Sequence, residues 1–194
     1  MTNARTSRPR RGTGAVPGAG QNSPLIGLPA DAFDDRIAIV GTAGSGKTYA
    51  AKGFVDRLLE SGARVPIVDP LGVWWGLRAS ADGSAPGYPV IVFGGRHADV
   101  PITVDTATAL GKIIAREALA CVVDLSDLGS SSARRRFMAA FAEALYEANE
   151  EPLHLVLDEA DMWAPQRPIK GWEGLLGTSK RLSGAAACAA SSRG

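Results

Sequence analysis

A glycine-rich segment of eight residues separates a short apolar run from a longer segment with helical spacing. The segment reads Gly41-Thr42-Ala43-Gly44-Ser45-Gly46-Lys47-Thr48. The apolar run before it, residues 36–40, has the length of a β-strand. Residues 47–61 place their apolar side chains on one helical stripe, and Gly62 follows where a glycine commonly ends a helix. This order of strand, tight loop and helix predicts an α/β fold.

The residue types of the loop indicate its chemistry. Gly41, Gly44 and Gly46 permit backbone conformations closed to other residues, so that successive N–H groups can converge on phosphate oxygens at the positive end of a helix dipole. Lys47 is placed to reach the β- and γ-phosphates, and the hydroxyl of Thr48 is an oxygen ligand of the kind Mg²⁺ prefers. We interpret residues 41–48, with Thr42, Ala43 and Ser45 included, as a P-loop that binds ATP together with Mg²⁺.

The rest of the chain repeats the alternation of strands and helices. Apolar runs of strand length occur at residues 65–69, 88–93, 120–125 and 153–158, and helical spacing occurs at residues 106–118 and 132–148. The runs are apolar throughout, which is typical of parallel strands covered on both faces. We therefore expect a three-layer α/β fold, a mostly parallel sheet with helices on both faces.

The run at residues 153–158 ends in two adjacent carboxylates, Asp158 and Glu159. Downstream of a P-loop, such a strand end supplies the acids that the reaction needs. We expect Asp158 to hold Mg²⁺, through water, and Glu159 to orient and deprotonate the water that attacks the γ-phosphate. The pair predicts a hydrolase.

Two further acids end apolar runs. Asp124 is a rival for the metal-binding role, although Leu125 follows it rather than a second acid. Asp69 precedes Pro70 and has two interpretations: a polar group beside the nucleotide cleft, or a residue that stabilises a turn. The sequence leaves both open.

Aromatic, basic and thiol side chains outside these motifs also have alternative interpretations. Trp74 and Trp75, with Arg78, either pack against the sheet or stack on a nucleic acid base. The run 134–136 of three arginines, at a helix start, either contacts phosphates or is solvated. Cys121 is expected to be an inert core thiol, and with only two cysteines the chain offers no disulfide framework.

Composition and length limit the remaining possibilities. The 194 residues are 45% hydrophobic, enough for one domain with a sizeable core, and no apolar run is long enough to cross a bilayer. A cytoplasmic protein without a membrane partner is expected. Residues 1–24 are basic and rich in small polar residues, which predicts a disordered tail, either solvated or in contact with nucleic acid phosphates. Residues 25–177 are expected to form the ATPase core.

The motifs together resemble the HerA/FtsK-type ATPases. The resemblance rests on the P-loop, on residues 68–78 with their aspartate–proline and tryptophan pairs, and on residues 155–167 around Asp158 and Glu159. It implies an additional-strand, RecA-like core in which Glu159 is the catalytic acid. It also implies a homo-oligomeric ring that moves along DNA, so that ATP and DNA are the expected partners.

The chain departs from the family pattern in residues 178–194. This segment is rich in serine, alanine and glycine and lacks the periodicity of the helix and sensor strand that the resemblance implies. This segment can be back-translated into DNA with the third base of each codon selected freely. When that DNA is translated from two bases into codon 178, it can encode IEAAVRRGRVRGFIPW, an arginine-rich amphipathic stretch followed by an apolar strand. We therefore expect a frameshifted or truncated tail and a sheet without that strand, with weak ATP binding and little hydrolysis.

Two other functions share parts of this pattern. A small-molecule kinase has a P-loop but does not need Glu159 next to the metal-binding acid, and phosphate release without an acceptor would separate the two. A nucleotide-binding module without catalysis is also compatible with the sequence. It would bind ATP without hydrolysing it.

Overall fold

The computed structural model describes residues 37–42, 44–80, 82–117, 119–163 and 188–193. Within them, six strands and three α-helices follow one another along the chain. They are β1 (Ala38–Thr42), α1 (Lys47–Glu60), β2 (Pro66–Asp69), β3 (Ile91–Phe93), α2 (Ala107–Arg116), β4 (Cys121–Asp124), α3 (Ser131–Ala148), β5 (Val156–Leu157) and β6 (Cys188–Arg193). Short 3₁₀ turns lie at Trp74–Arg78, Val104–Thr106 and Ala160–Met162. No helix in these ranges is long and apolar enough to cross a bilayer.

The strands form one sheet in the order β1-β6-β5-β2-β4-β3, and every neighbouring pair is parallel. Because the strands are parallel, their carboxyl ends meet at one edge of the sheet. The five predicted strands and three predicted helices are all present. The fifth strand is shorter than predicted, since only Val156–Leu157 of residues 153–158 is extended and paired.

Helices cover both faces of the sheet, as the apolar strands predicted. On one face, α1 packs against β2, β3 and β4 through a buried cluster that includes Phe54, Ile67, Trp74, Val92 and Val122. On the other, α2 and α3 pack against the alternate residues of those strands, in a cluster that includes Val68, Val123, Phe137, Leu145 and Trp163. The three-layer α/β fold class is confirmed.

The helix boundaries follow local signals in the sequence. Helix α1 ends before Gly62, which has a φ of 76°, and Ala63 N–H donates to the Leu58 carbonyl. This is the glycine-terminated helix end that the sequence predicted. Helix α3 begins after Ser130, whose hydroxyl accepts a hydrogen bond from Ala133 N–H at 3.1 Å. The hydroxyl satisfies one of the N–H groups that a helix start leaves unpaired.

Strand β6 corrects the prediction that no strand follows Asp158 and Glu159. Its residues pair in parallel with β1 on one side and β5 on the other, with Gly41 opposite Ser192 and Leu157 opposite Ala189. The prediction rested on the lack of apolar periodicity. Strand pairing is made by backbone groups, however, so small residues such as Ala189 and Ala190 are compatible with a strand.

Several predictions concern residues outside the described ranges. One is the prediction that residues 1–24 form a disordered tail. The others concern most of residues 178–194 and the last four residues, 164–167, of the motif at residues 155–167. The reading-frame hypothesis concerns the encoding DNA and stays a prediction.

Candidate nucleotide-binding site

The predicted P-loop connects the carboxyl end of β1 to the first residue of α1. Gly44 and Gly46 have φ angles of 75° and 84°, in the left-handed region that favours glycine. Gly46 immediately precedes Lys47, the first residue of α1, so the loop leads directly into the amino end of a 14-residue helix. Ala43 lies outside the described residues. The local order of strand, loop and helix is the one predicted.

The loop folds back tightly on itself. A Cβ on Gly41 would lie 2.5 Å from Ser45 Oγ, so a larger residue would require the Ser45 side chain to move. Ser45 N–H donates to the Thr42 carbonyl at 3.2 Å, and the Lys47 ammonium donates to the same carbonyl at 2.9 Å. The Lys47 side chain therefore folds back over the loop rather than extending into solvent.

The amino end of α1 is open on its outer side. Gly44, Ser45, Gly46 and Thr48 are exposed, and the first turn of the helix contains no acidic residue. Unpaired N–H groups, the helix dipole and one ammonium group make this end attractive to anions, and no carboxylate of the first turn opposes them. The arrangement suits a phosphate group.

Asp158 follows β5 directly and is 3% exposed. Its Oδ2 accepts a hydrogen bond from Trp74 Nε1 at 2.9 Å, and its Oδ1 accepts one from Glu159 N–H at 3.0 Å. Its own N–H donates to the Val68 carbonyl of β2 at 3.1 Å, which extends the pairing of β5 by one residue. The buried carboxylate is thus held by both its oxygens.

Glu159 has a left-handed backbone, with φ 47° and ψ 53°, the one non-glycine residue with positive φ in the described part of the chain. A side chain in this region costs about 1–3 kcal/mol and persists where the surroundings fix it. Here Trp163 Nε1 donates to the Asp158 carbonyl at 2.8 Å, and Met162 N–H donates to the Glu159 carbonyl at 2.8 Å. Both contacts hold the peptides on either side of Glu159.

The P-loop and Asp158 lie at the same edge of the sheet. Strand β6 lies between β1, which leads into the P-loop, and β5, which leads into Asp158. Ala189 of β6 is opposite Ala38 of β1 on one side and opposite Leu157 of β5 on the other. Two strand spacings correspond to about 10 Å. Strand β1 extends to Thr42, beyond the level of Asp158, so that the loop begins above the end of β5.

Asp124, the predicted rival of Asp158, ends β4, which is separated from β5 by β2. It therefore lies two strands farther from the P-loop than Asp158. Its Oδ1 accepts a hydrogen bond from Ser126 N–H at 2.8 Å, and its side chain is packed so closely that a Cβ on Gly95 would overlap it. Among the described residues, no group of three or more His, Cys, Asp or Glu is arranged to hold a metal ion.

Asp69 stabilises the turn that follows β2, the second of its two interpretations. Its carboxylate accepts four backbone hydrogen bonds: Oδ1 from Leu71 and Gly72, at 2.9 and 2.8 Å, and Oδ2 from Val73 and Trp74, at 2.6 and 2.7 Å. Burial raises the pKa of Asp69 above its usual value, while these N–H donors act in the opposite direction. With both oxygens occupied, Asp69 fixes the backbone that carries Trp74.

The two tryptophans of this turn have different environments. Trp74 is fully buried against α1, and the Lys52 ammonium lies 5.8 Å from its ring centroid. Trp75 is 37% exposed and stacks on His97, with ring centroids 3.9 Å apart. Core packing is therefore correct for Trp74. The neighbouring Arg78 forms an exposed ion pair with Asp99.

The other candidate residues have structural contacts. Arg134 donates to the Ser126 and Leu128 carbonyls and so holds the loop between β4 and α3, whereas Arg136 is exposed. Cys121 is fully buried, and burial raises the pKa of its thiol to about 12, which confirms the predicted core position. The contacts that sequence analysis missed are those of Trp74 and Trp163 with Asp158. The sequence showed only that each of these motifs contains a tryptophan, and it did not show what the two indole N–H groups contact.

Comparison with known proteins bears on the first part of the chain. Residues 14–93 match the family model described as "Helicase HerA, central domain". The match includes the P-loop and the turn that carries Trp74, and it ends before Asp158 and Glu159. None of the curated proteins matches this chain.

Among solved structures, the genome packaging NTPase B204 from Sulfolobus turreted icosahedral virus 2, in complex with ATP-gammaS, matches with a TM-score of 0.45 and 16% identity. The alignment covers 83% of this chain and 67% of that chain. This likeness is too distant to bear on the chemistry of the site. The family match supports a nucleotide-binding role. Through residues 14–93, the predicted resemblance of this chain to the HerA/FtsK-type P-loop ATPases is confirmed.

Proposed function

We propose that the chain binds ATP with Mg²⁺ at residues 41–48 and hydrolyses it with the help of Asp158 and Glu159. The observation that carries the proposal is the position of the glycine-rich loop and the two acids at one edge of the sheet, on strands separated only by β6. In open α/β sheets, ligands bind at this carboxyl edge. The HerA central-domain match supports the same role for the loop.

The residues present fit both ATP and Mg²⁺. Gly44 and Gly46 adopt left-handed conformations that turn the backbone of the loop. The Lys47 ammonium contacts the Thr42 carbonyl of the same loop. The hydroxyl of Thr48 would bind the metal directly and the carboxylate of Asp158 would hold it through water, which are oxygen donors of the kind that Mg²⁺ takes together with phosphate. When bound, the metal neutralises charge on the phosphates.

Glu159 is the proposed base. Its carboxylate takes a proton from water as the water oxygen bonds to the γ-phosphorus and the bond from phosphorus to the ADP oxygen breaks. Lys47 stabilises the negative charge on the β- and γ-phosphates. A kinase would transfer the phosphoryl group to an acceptor instead, and release of inorganic phosphate without an acceptor separates the two reactions.

The nucleotide site is tested by the Lys47→Ala variant, with ATP affinity measured by calorimetry in the presence of Mg²⁺. Loss of one charge-assisted contact, about 1.5–3 kcal/mol, should weaken binding about 10- to 100-fold. The matched control is Lys112→Ala, which removes an exposed lysine of α2. Equal ATP affinity in both variants would contradict the P-loop assignment.

We further propose that this chain works as one subunit of a ring of identical subunits that moves along DNA. Support comes from the family description alone, which names a helicase. The measurement is the rate of phosphate release with and without double-stranded DNA, together with the molar mass in solution with ATP. A rate that DNA does not change, in a protein that stays monomeric, would favour a nucleotide-binding module without motor function.

A further inference from the structure

We propose that Trp74 and Trp163 form a two-sided clamp on Asp158, in which each acts as a positioning residue for the proposed ATPase site. The inference rests on the proposed function, because it assigns roles to side chains that act through Asp158 and Glu159. The indole N–H groups of two buried tryptophans both donate to the same residue, one to its carboxylate and one to its carbonyl.

Trp74 fixes the orientation of the Asp158 carboxylate. Its indole N–H donates to Oδ2 at 2.9 Å in a fully buried contact. Oδ1 accepts the N–H of the next residue, Glu159, at 3.0 Å, and each carboxylate oxygen can accept more than one hydrogen bond. Trp74 therefore fixes the orientation of the carboxylate, and both oxygens keep a lone pair that can meet a water molecule of the metal.

Trp163 determines the direction of Glu159. Its indole N–H holds the carbonyl of the peptide between Asp158 and Glu159 at 2.8 Å. Rotation of that peptide would change the φ of Glu159, which is left-handed, and with it the direction in which its side chain leaves the backbone. The Trp163 contact opposes this rotation and keeps the backbone of Glu159 in its left-handed conformation.

The two tryptophans reach Asp158 from opposite faces of the sheet. Trp74 belongs to the core under α1, and Trp163 to the core under α2 and α3. Asp69 fixes the Trp74 side by four hydrogen bonds to the turn. Because each indole is anchored in a separate core, the position of Asp158 depends on the packing of both helical layers.

The Trp74 contact is tested with Trp74→Phe, which keeps an aromatic ring and removes the N–H donor. The control is Trp75→Phe, which changes the adjacent, partly exposed tryptophan that stacks on His97. ATP binding is measured by calorimetry at increasing Mg²⁺ and again in excess EDTA. We expect Trp74→Phe to weaken the apparent Mg²⁺ affinity about tenfold, the effect of one hydrogen bond to a charged group, with ATP affinity in EDTA unchanged.

The Trp163 contact is tested with Trp163→Phe. Here we expect kcat to fall about tenfold while KM and the Mg²⁺ dependence stay at their original values, because the hydrogen bond acts on Glu159 and not on the metal-binding carboxylate. A loss in both kcat and binding would indicate only a structural role and would overturn this half of the proposal.

The geometry has a separate test that needs no ligand. In Asp158→Ala, the Trp74 indole loses its acceptor, whereas Trp163 keeps the backbone carbonyl. We expect hydrogen exchange at Trp74 Nε1–H, followed by NMR, to accelerate at least tenfold relative to Trp163. Equal protection in both would overturn the clamp even if the phenylalanine variants fail to fold.

The outcomes distinguish the clamp from the function on which it rests. A wild-type protein with no Mg²⁺-dependent ATP binding would overturn both. A wild-type protein that binds ATP with Mg²⁺, and loses binding in Lys47→Ala, supports the function. If Trp74→Phe then matches Trp75→Phe in Mg²⁺ affinity, the function stands and the clamp is wrong.

Discussion

Trp74 Nε1 donates to Asp158 Oδ2 at 2.9 Å and so joins two segments that are 84 residues apart in the chain. The first segment is the turn after β2, fixed by Asp69, and the second is the end of β5. The two strands are neighbours in the sheet, with Val68 of β2 opposite Leu157 of β5. The hydrogen bond thus connects the turn that the family match includes to the acids that lie beyond it.

The first prediction separates ATP binding from hydrolysis. Glu159→Gln should keep the affinity for ATP with Mg²⁺ and reduce phosphate release at least 100-fold, because the amide cannot accept a proton from water. Binding is measured by calorimetry and turnover by phosphate release. Loss of ATP binding in this variant would mean that Glu159 contributes to the nucleotide or metal site instead.

A second prediction concerns the strain at Glu159. Glycine adopts a φ of 47° without the steric cost that a Cβ brings. Glu159→Gly should therefore be about 1 kcal/mol more stable to unfolding than Glu159→Ala, and both should lack hydrolysis. The comparison cancels side-chain contacts, since neither variant has the glutamate side chain. Denaturant unfolding measures the difference, and an alanine variant as stable as the glycine variant would argue against the left-handed conformation.

The fold was predicted largely because its signals are local. The stripe in α1, the glycine that ends it and the continuously apolar strands each depend on residues within one element. Strand β6 was missed because its pairing with β1 and β5 is made by backbone groups, and its residues carry no apolar pattern. Its central position depends on tertiary structure, which periodicity does not report.

The site was predicted less completely than the fold. Residue types and order were enough to select the P-loop, Asp158 and Glu159, whose roles stay proposals. The sequence did not decide between two roles for Asp69, because a carboxylate at a strand end suits either a cleft or a turn. Nor did it pair Trp74 with Asp158, since a contact across 84 residues is created only when β2 and β5 become neighbours.

The third prediction is that Cys121 does not react in the native protein. Burial raises its pKa to about 12, so that at pH 8 roughly one thiol in ten thousand is ionised. In a Cys188→Ser variant, Cys121 is the one remaining cysteine of the chain. Iodoacetamide at pH 8 should leave the native variant unlabelled and label it fully in denaturant. Rapid labelling of the native protein would show that β4 is not covered as described.

A fourth prediction concerns the DNA that encodes residues 178–194. If the reading frame shifts there, the frame that starts two bases into codon 178 should be open and should encode an arginine-rich helix followed by an apolar strand. The same frame should stay open past the codon of Gly194 and should continue to encode a family-like sequence. Sequencing of the gene region decides this, and a stop codon or an unrelated sequence in that frame would contradict the hypothesis.

The last prediction concerns the turn that carries Trp74. Asp69→Asn replaces one carboxylate oxygen by an NH₂ group, which then faces two backbone N–H donors in place of an acceptor. Two of the four hydrogen bonds from residues 71–74 are lost. An unsatisfied N–H costs about 1–3 kcal/mol where it is buried, as in the Trp74 contact, and less where water reaches it, so the free energy of unfolding should fall by about 1–3 kcal/mol.

The matched control for this variant is Asp82→Asn. Asp82 also accepts a backbone hydrogen bond, from Ser84 N–H, but it is exposed, so water can replace the lost contact. We expect its melting temperature to change little. Because Asp69 fixes the backbone of Trp74, Asp69→Asn should also speed exchange at Trp74 Nε1–H, which Asp82→Asn should not. An Asp69→Asn protein as stable as Asp82→Asn, with Trp74 still protected, would show that the turn does not depend on the carboxylate.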